Sequence, residues 1–253
     1  MISKNQIKYV RQLELKKFRT RLGLFVAEGP KVVGDLMLRY RLQSVFATSE
    51  WSGWQHSPTR ESCESTLVTD DELQRISFLQ HPQQVLAVFQ LPETTEVTLP
   101  DDELVLMLDG VQDPGNLGTI IRIADWFGIG RIYCSPDTAD AWNPKVVQAT
   151  MGSLAHVQIC YTPLPELTDR RPQGMPVYGT LLDGNDIYRQ ELSANGIIVM
   201  GNEGRGLSDD MRQRVTHRLL IPSFHPGPSA ESLNVAIATA ITCSEFRRRE
   251  APQ

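Results

Sequence analysis

A two-part α/β fold is predicted by three features of this 253-residue chain. Short apolar runs alternate with segments of helical periodicity along most of its length. One run, IIVMG at 197–201, has no polar position, as expected of a strand covered by helices on both faces. Between two such alternating regions, PETTEVTLPDDE (92–103) is acidic, contains two prolines and reads as a linker. It separates a small α/β domain, 1–91, from a second α/β domain with a mainly parallel sheet, 104–253.

In the first part, SKNQIKYVRQLELKKFRT reads as one helix. Ser3 can cap it, and Ile7, Val10 and Leu13 recur at helical spacing. LFVAEG is a strand. PKVVGDLMLRY is a helix with Pro in its first turn. LQSVFATS is a strand, DDELQRIS a helix with Asp at its cap, and QQVLAVFQL a strand. In the second part the expected order is strand 104–109, helix 116–127, strand 131–134, helix 144–151, strand 156–160, helix 163–169 and strand 176–182. Strand 197–201, helix 208–215, strand 218–221 and a long helix over 231–248 follow.

With 41% hydrophobic and 22% charged residues and no apolar run of membrane-spanning length, the composition is that of a globular protein without a membrane span. Residues 1–20 are basic but hold no apolar core of a secretory signal. Cys63, Cys134, Cys160 and Cys243 are scattered, and neither they nor the five histidines form a metal-ligand pattern. These features predict a reduced, cytoplasmic protein that needs no metal. The net charge of −5 hides an asymmetry: residues 1–41 hold ten Lys/Arg against three acids, +7, leaving −12 on the remainder. A basic arm on an acidic body points to a polyanionic partner, with Lys4, Lys8, Arg11, Lys16, Lys17 and Arg19 as the candidate phosphate contacts.

Open α/β sheets collect ligands beyond the carboxyl ends of their strands. Three strand ends here carry unusual loops. The first is DPGNLGTIIR, with Asn116 and, six residues on, Arg122. The second is Gly201-Asn202-Glu203-Gly204-Arg205-Gly206. The third begins at Ile221-Pro222 and leads through a Gly/Pro/Ser stretch to Ser232-Leu233-Asn234. None is G-x-G-x-x-G or a phosphate-binding P-loop, which argues against a nicotinamide-dependent enzyme. Singly, each is an ordinary glycine turn, and Ser229, Ser232 or Asn234 could simply cap the helix. In this order, after three strands of one domain, they are far more specific.

The set resembles the three motifs of the SpoU (TrmH-like) branch of the SPOUT methyltransferases. N-x-G-x-x-x-R stands as Asn116 to Arg122, G-x-E-G-x-G as Gly201 to Gly206, and I-P followed by S-L-N-V as Ile221-Pro222 and Ser232 to Val235. The likeness spans 104–248 in order. It departs from the family in a longer, proline-rich loop after Ile221 and in Ala236, where Ser is frequent. The region before it resembles the substrate-binding domain that precedes many members.

The resemblance implies transfer of a methyl group from S-adenosylmethionine to a ribose 2′-hydroxyl of RNA, ribosomal RNA more than tRNA. It implies a homodimer with the active site near the interface. It also implies a deep trefoil knot, where ordinary connection rules would give an unknotted sheet. Thr180, Leu181, Gly201, Asn202, Gly204, Ile221, Pro222 and Leu233 are then expected around the cofactor. Arg122, Asn116, Glu203, Ser232 and Asn234 are expected at the reacting ribose. A non-catalytic RNA-binding protein that kept the fold is the competing reading.

Overall fold

The computed structural model describes residues 2–53, 63–93, 96–226 and 230–250. The described chain forms two compact units: 1–94 with 140–155, and 95–139 with 156–253. Segment 140–155, expected in the second part, therefore belongs to the first. It carries α6 (Pro144–Ala149), which packs against β1 of the first unit's sheet.

The first unit begins with α1 (Lys4–Arg11), capped by Ser3 and Gln6 in a reciprocal capping box. The single expected helix is broken here: a 3-10 turn follows (Gln12–Glu14), Leu15 is extended, and α2 (Lys16–Leu22) starts afresh. The cause is Arg19. It is 2% exposed, and its guanidinium donates to the Leu13 and Glu14 carbonyls and, at 2.5 Å, to Asp140. Carbonyls that a continuous helix would pair internally are thus taken by a side chain. β1 (Leu24–Glu28), α3 (Pro30–Leu36), β2 (Leu42–Ala47), the unanticipated β3 (Glu64–Leu67), α4 (Asp70–Ile76) and β4 (Val85–Gln90) complete the unit. Thr69, not an Asp, caps α4, with Glu72 returning the bond. The sheet order is β1-β4-β2-β3, antiparallel except for β2–β3. The sheet packs on a core that includes Val10, Leu13, Val26, Phe46 and Leu86.

The second unit contains β5 (Leu104–Asp109), α5 (Pro114–Trp126), β6 (Arg131–Cys134), β7 (Gln158–Tyr161), α7 (Leu164–Asp169), β8 (Val177–Asp186), β9 (Gly196–Gly201), α8 (Asp209–Arg214), β10 (His217–Leu220) and α9 (Val235–Glu250). Its six strands are ordered β10-β8-β9-β5-β6-β7, and every pair is parallel. Val105, Met107, Val177, Ile197 and Val199 face α7 and α8. The alternate side chains Leu106, Leu108, Ile132, Ile198 and Met200 are also buried, on the side where α5 and α9 pack together. Burial on both faces accounts for the unbroken apolar strands. The long helix starts at Val235, four residues later than expected. Ser229 lies outside the described residues.

Candidate active site

Asp113 caps α5 through the Asn116 N–H at 2.8 Å, and Pro114 occupies its first turn. This sets Asn116 at the carboxyl end of β5, within the first turn of the helix. Asn202 shapes the second loop. Its Oδ1 accepts from the Gly204 and Arg205 N–H groups, and its Nδ2 donates to the Gly110 carbonyl at 2.6 Å. The loop closes where Asn202 and Gly206 exchange backbone hydrogen bonds. A Cβ on Gly201 would sit 2.3 Å from the Gly206 backbone, so only glycine permits that closure. Gly204 has no such constraint: its nearest neighbour would be Asn202 Oδ1 at 3.7 Å.

Glu203 projects from this loop and gathers the first one. Its carboxylate accepts from Asn116 Nδ2 at 3.0 Å and from the Gln112 and Asp113 N–H groups at 3.2 Å each. Asn116 Oδ1 in turn accepts from Asn234 Nδ2 at 2.9 Å. Asn234 Oδ1 then accepts from the Ala236 and Ile237 N–H groups at the head of α9. One relay, Glu203–Asn116–Asn234, therefore ties all three loops together. Loss of water around Glu203 raises its pKa, but the bonds from Asn116 and from backbone N–H groups outweigh this and hold the carboxyl below its ordinary range.

Beside the relay lies a cleft of about 570 Å³ at the carboxyl ends of β8, β9 and β10. Thr180, Leu181, Gly201, Asn202, Gly204, Ile221 and Leu233 line it, as do Glu203 and Ser232. Pro222 does not. Sequence reading missed Leu182, Asp183, Arg205, Arg212 and Leu219 on the same walls. Arg205 stood inside a motif and could have been read. Asp183 could not, because the pairing of β8 with β10 jumps between Arg218 and Leu219 and pushes 180–184 out of register. Asp183 there receives Arg212 and, at 3.0 Å, Arg218. Among the described residues, clefts of similar size also lie at the amino ends of the strands around Tyr178 and His217 and beyond β5, β6 and β7. The motif loops, not volume, single out the β8–β10 cleft.

Arg122 takes no part in the relay. It lies on the exposed side of α5, and no hydrogen bond or ion pair engages its guanidinium among the described residues. Of the basic arm, Lys4, Lys8, Lys16 and Lys17 are exposed. Arg11 is half-exposed, donates to the Ser77 carbonyl at 2.5 Å and stacks on Phe78. Arg19 is a correction: buried and fully bonded inside its unit, it cannot meet an outside phosphate. Among the described residues no group of three or more His, Cys, Asp or Glu could hold a metal, and no helix is long and apolar enough to cross a membrane.

Residues 103–244 match the model of the SpoU rRNA Methylase family, and 4–87 match that of the MRM3-like substrate binding domain. The chain is 32% identical to the 23S rRNA (guanosine(2553)-2′-O)-methyltransferase RlmP of Bacillus subtilis, over 97% of both chains. Its fold resembles that of a putative RNA methyltransferase of the TrmH family from Porphyromonas gingivalis, with 44% identity, coverage of 98% and 99%, and a TM-score of 0.89. It likewise resembles an rRNA methyltransferase from Sinorhizobium meliloti solved with AdoMet bound, at 29% identity, coverage of 100% and 98%, and a TM-score of 0.88. With three motif loops joined by one hydrogen-bond relay beside a cleft, and a family model that covers more than half its length, this chain belongs to the SpoU rRNA methylase family.

Proposed function

We propose that the protein methylates a ribose 2′-hydroxyl of ribosomal RNA, using S-adenosylmethionine as donor. The observation that carries this reading is the Glu203–Asn116–Asn234 relay, which holds three loops of the family's motifs around one cleft. When bound, the cofactor supplies an electrophilic methyl group on a sulfonium. The donor set fits it: the Leu181, Ile221 and Leu233 side chains offer apolar surface for a flat base, the open Gly204 leaves the backbone approachable, and no metal is called for.

The residues then divide by role. Arg122, exposed and unengaged, holds the RNA at the nucleophile, binding phosphate and stabilising charge on the ribose oxygen. A guanidinium remains protonated at neutral pH, which favours electrostatics over proton abstraction. Ser232, exposed at the rim of the cleft, bonds the ribose or phosphate. Asn116, Glu203 and Asn234 are positioning residues, since their side chains are committed to one another and to backbone.

The first unit is the RNA-binding domain, with Lys4, Lys8, Arg11, Lys16 and Lys17 as phosphate contacts. The expected linker 92–103 is shortened: Val97 and Leu99 pack on the second unit's core and the Thr98 carbonyl accepts from the Tyr133 hydroxyl, so that stretch belongs to the second unit. A homodimer is supported by apolar side chains left in water on the packed pair α5 and α9: Trp126 is 84% exposed and Ile237 53%. A trefoil knot goes with the family reading, which the match over 103–244 supports. A cytoplasmic location suits an RNA substrate and four free cysteines. Mass-spectrometric mapping of 2′-O-methyl groups in rRNA and tRNA from a strain lacking the protein tests the reading. Loss of one rRNA methyl group, restored by wild type and not by Arg122→Ala, is the expected result. Loss of a tRNA methyl group, or of none, would favour the tRNA or the non-catalytic reading.

A further inference from the structure

α2 carries an apolar and aromatic surface that neither the core nor the cleft uses. Arg19 points inward and is bonded on every side. At 100° per residue, Leu22 and Phe18 follow round the helix from Arg19, and Arg21 and Lys17 come next, with Leu15 immediately before the first turn. Leu15 is 50% exposed and Leu22 38%, while Phe18 is half-buried. The Arg21 guanidinium lies 4.7 Å from the Phe18 ring centroid and the Lys17 ammonium 5.1 Å. Neither cation has an acidic partner among the described residues. Arg11 differs: it also stacks on an aromatic ring, but one of its donors bonds the Ser77 carbonyl and Glu14 lies 4.0 Å from its guanidinium, leaving it half-exposed with part of its fork in use.

We propose that the Phe18–Arg21 stack on α2, with Leu15 and Leu22 beside it, is a stacking platform for unpaired bases of a single-stranded RNA segment. This rests on the RNA reading above and adds the form of RNA that the first unit selects. Charge complementarity chooses the occupant. Lys16, Lys17 and Arg21 present adjoining exposed cations to a polyanion, and the Arg21 guanidinium, 4.7 Å from the Phe18 ring centroid, is a planar cation able to stack on a nucleobase. Duplex RNA hides its base faces, so it can use the cations but not the stack. Stacking of one base contributes about 1–3 kcal/mol, roughly 5- to 150-fold in affinity, with little dependence on sequence.

The test uses the full-length protein and a purine-rich oligoribonucleotide containing 2-aminopurine, single-stranded or annealed to its complement. Binding of the single strand is expected to quench the 2-aminopurine fluorescence. Phe18→Leu and Arg21→Lys are each expected to weaken it about 5-fold or more and to reduce the quenching, with the slope of log K against log[salt] unchanged. Lys17→Gln is expected to lower that slope by about 0.7. Arg21→Lys changes only an exposed tip, so it keeps the test decisive if Phe18→Leu folds poorly. Unchanged affinity and quenching in both variants would overturn the platform. So would equal affinity for the duplex, or a Phe18 dependence seen only with anionic phosphatidylserine vesicles. S-adenosylmethionine affinity, measured in parallel, should be the same in all variants. Its absence in wild type would overturn the methyltransferase reading while leaving the stacking result to stand alone.

Discussion

Arg122 and Glu203 are both charged residues of the family's motifs, yet their surroundings differ. Arg122 has no hydrogen bond or ion pair among the described residues, whereas Glu203 holds three donors at once. Arg122→Ala should therefore lower single-turnover methyl transfer about 100-fold or more, with fold and cofactor affinity unchanged. Arg122→Lys should be almost as poor, because it keeps the charge and loses the planar fork. Rapid-quench methylation of a mapped rRNA fragment decides both, and a near wild-type rate in Arg122→Ala would remove it from the site. Glu203→Gln places an amide where three donors expect a carboxylate. It should lower stability by about 1 kcal/mol, a modest figure because the carboxylate is solvent-exposed. Since the folded-state pKa is depressed, this contribution is present above the ordinary carboxyl value of 4.5 and is lost as pH falls through the lower folded value. Thermal melts across pH should show the gap between wild type and Glu203→Gln closing below about pH 4. A gap that persists at pH 3 would refute the ionised role.

The loops and helices show how local chemistry assembles the site. Gly201 and Gly204 sit three residues apart and should respond oppositely to alanine. Gly201→Ala drives a Cβ into the Gly206–Leu207 backbone and should disrupt the loop, lowering both melting temperature and activity. Gly204→Ala has room and should fold normally, with its methyl group weakening S-adenosylmethionine binding at the rim of the cleft. Calorimetric titration beside a thermal melt separates the two, and normal cofactor affinity in a folded Gly201→Ala protein would sink the account of the loop. In the first unit, Arg19→Ala leaves Asp140 and two carbonyls without their partner. It should cost about 3 kcal/mol, measured by denaturant unfolding.

At the scale of the whole molecule, the charge asymmetry and the exposed Trp126 each make a prediction. Neutralising Lys4, Lys8, Lys16 and Lys17 together should weaken RNA binding at low salt and flatten its salt dependence, each lost phosphate contact removing somewhat under one unit of slope. S-adenosylmethionine affinity should not change. An unaltered slope would reduce the arm to a solvated face. Trp126→Glu should shift the protein towards monomer in sedimentation equilibrium, by placing a charge in the apolar face of α5 and α9. A monomeric wild type would end the dimer proposal.

The reaction class was legible in the linear chain because it is written in contiguous motifs. Asn116 to Arg122, Gly201 to Gly206 and Ser232 to Asn234 each lie within a few residues, and strand, turn and helix signals around them are local. Alternation of apolar runs likewise determined two α/β parts and a parallel sheet. What tertiary structure alone decided rests on contacts distant in sequence. Nothing local marks Arg19 as buried, because its partner Asp140 lies 121 residues away, in the segment 140–155 that the fold assigns to the first unit. Asp183 reaches the cleft only through an irregular pairing of β8 with β10. The Glu203–Asn116–Asn234 relay spans 87 and 118 residues, so its members could be named from sequence as site residues but not as partners. Side-chain hydrogen bonds are short-range and directional, and which groups meet is settled by where the folded backbone brings them.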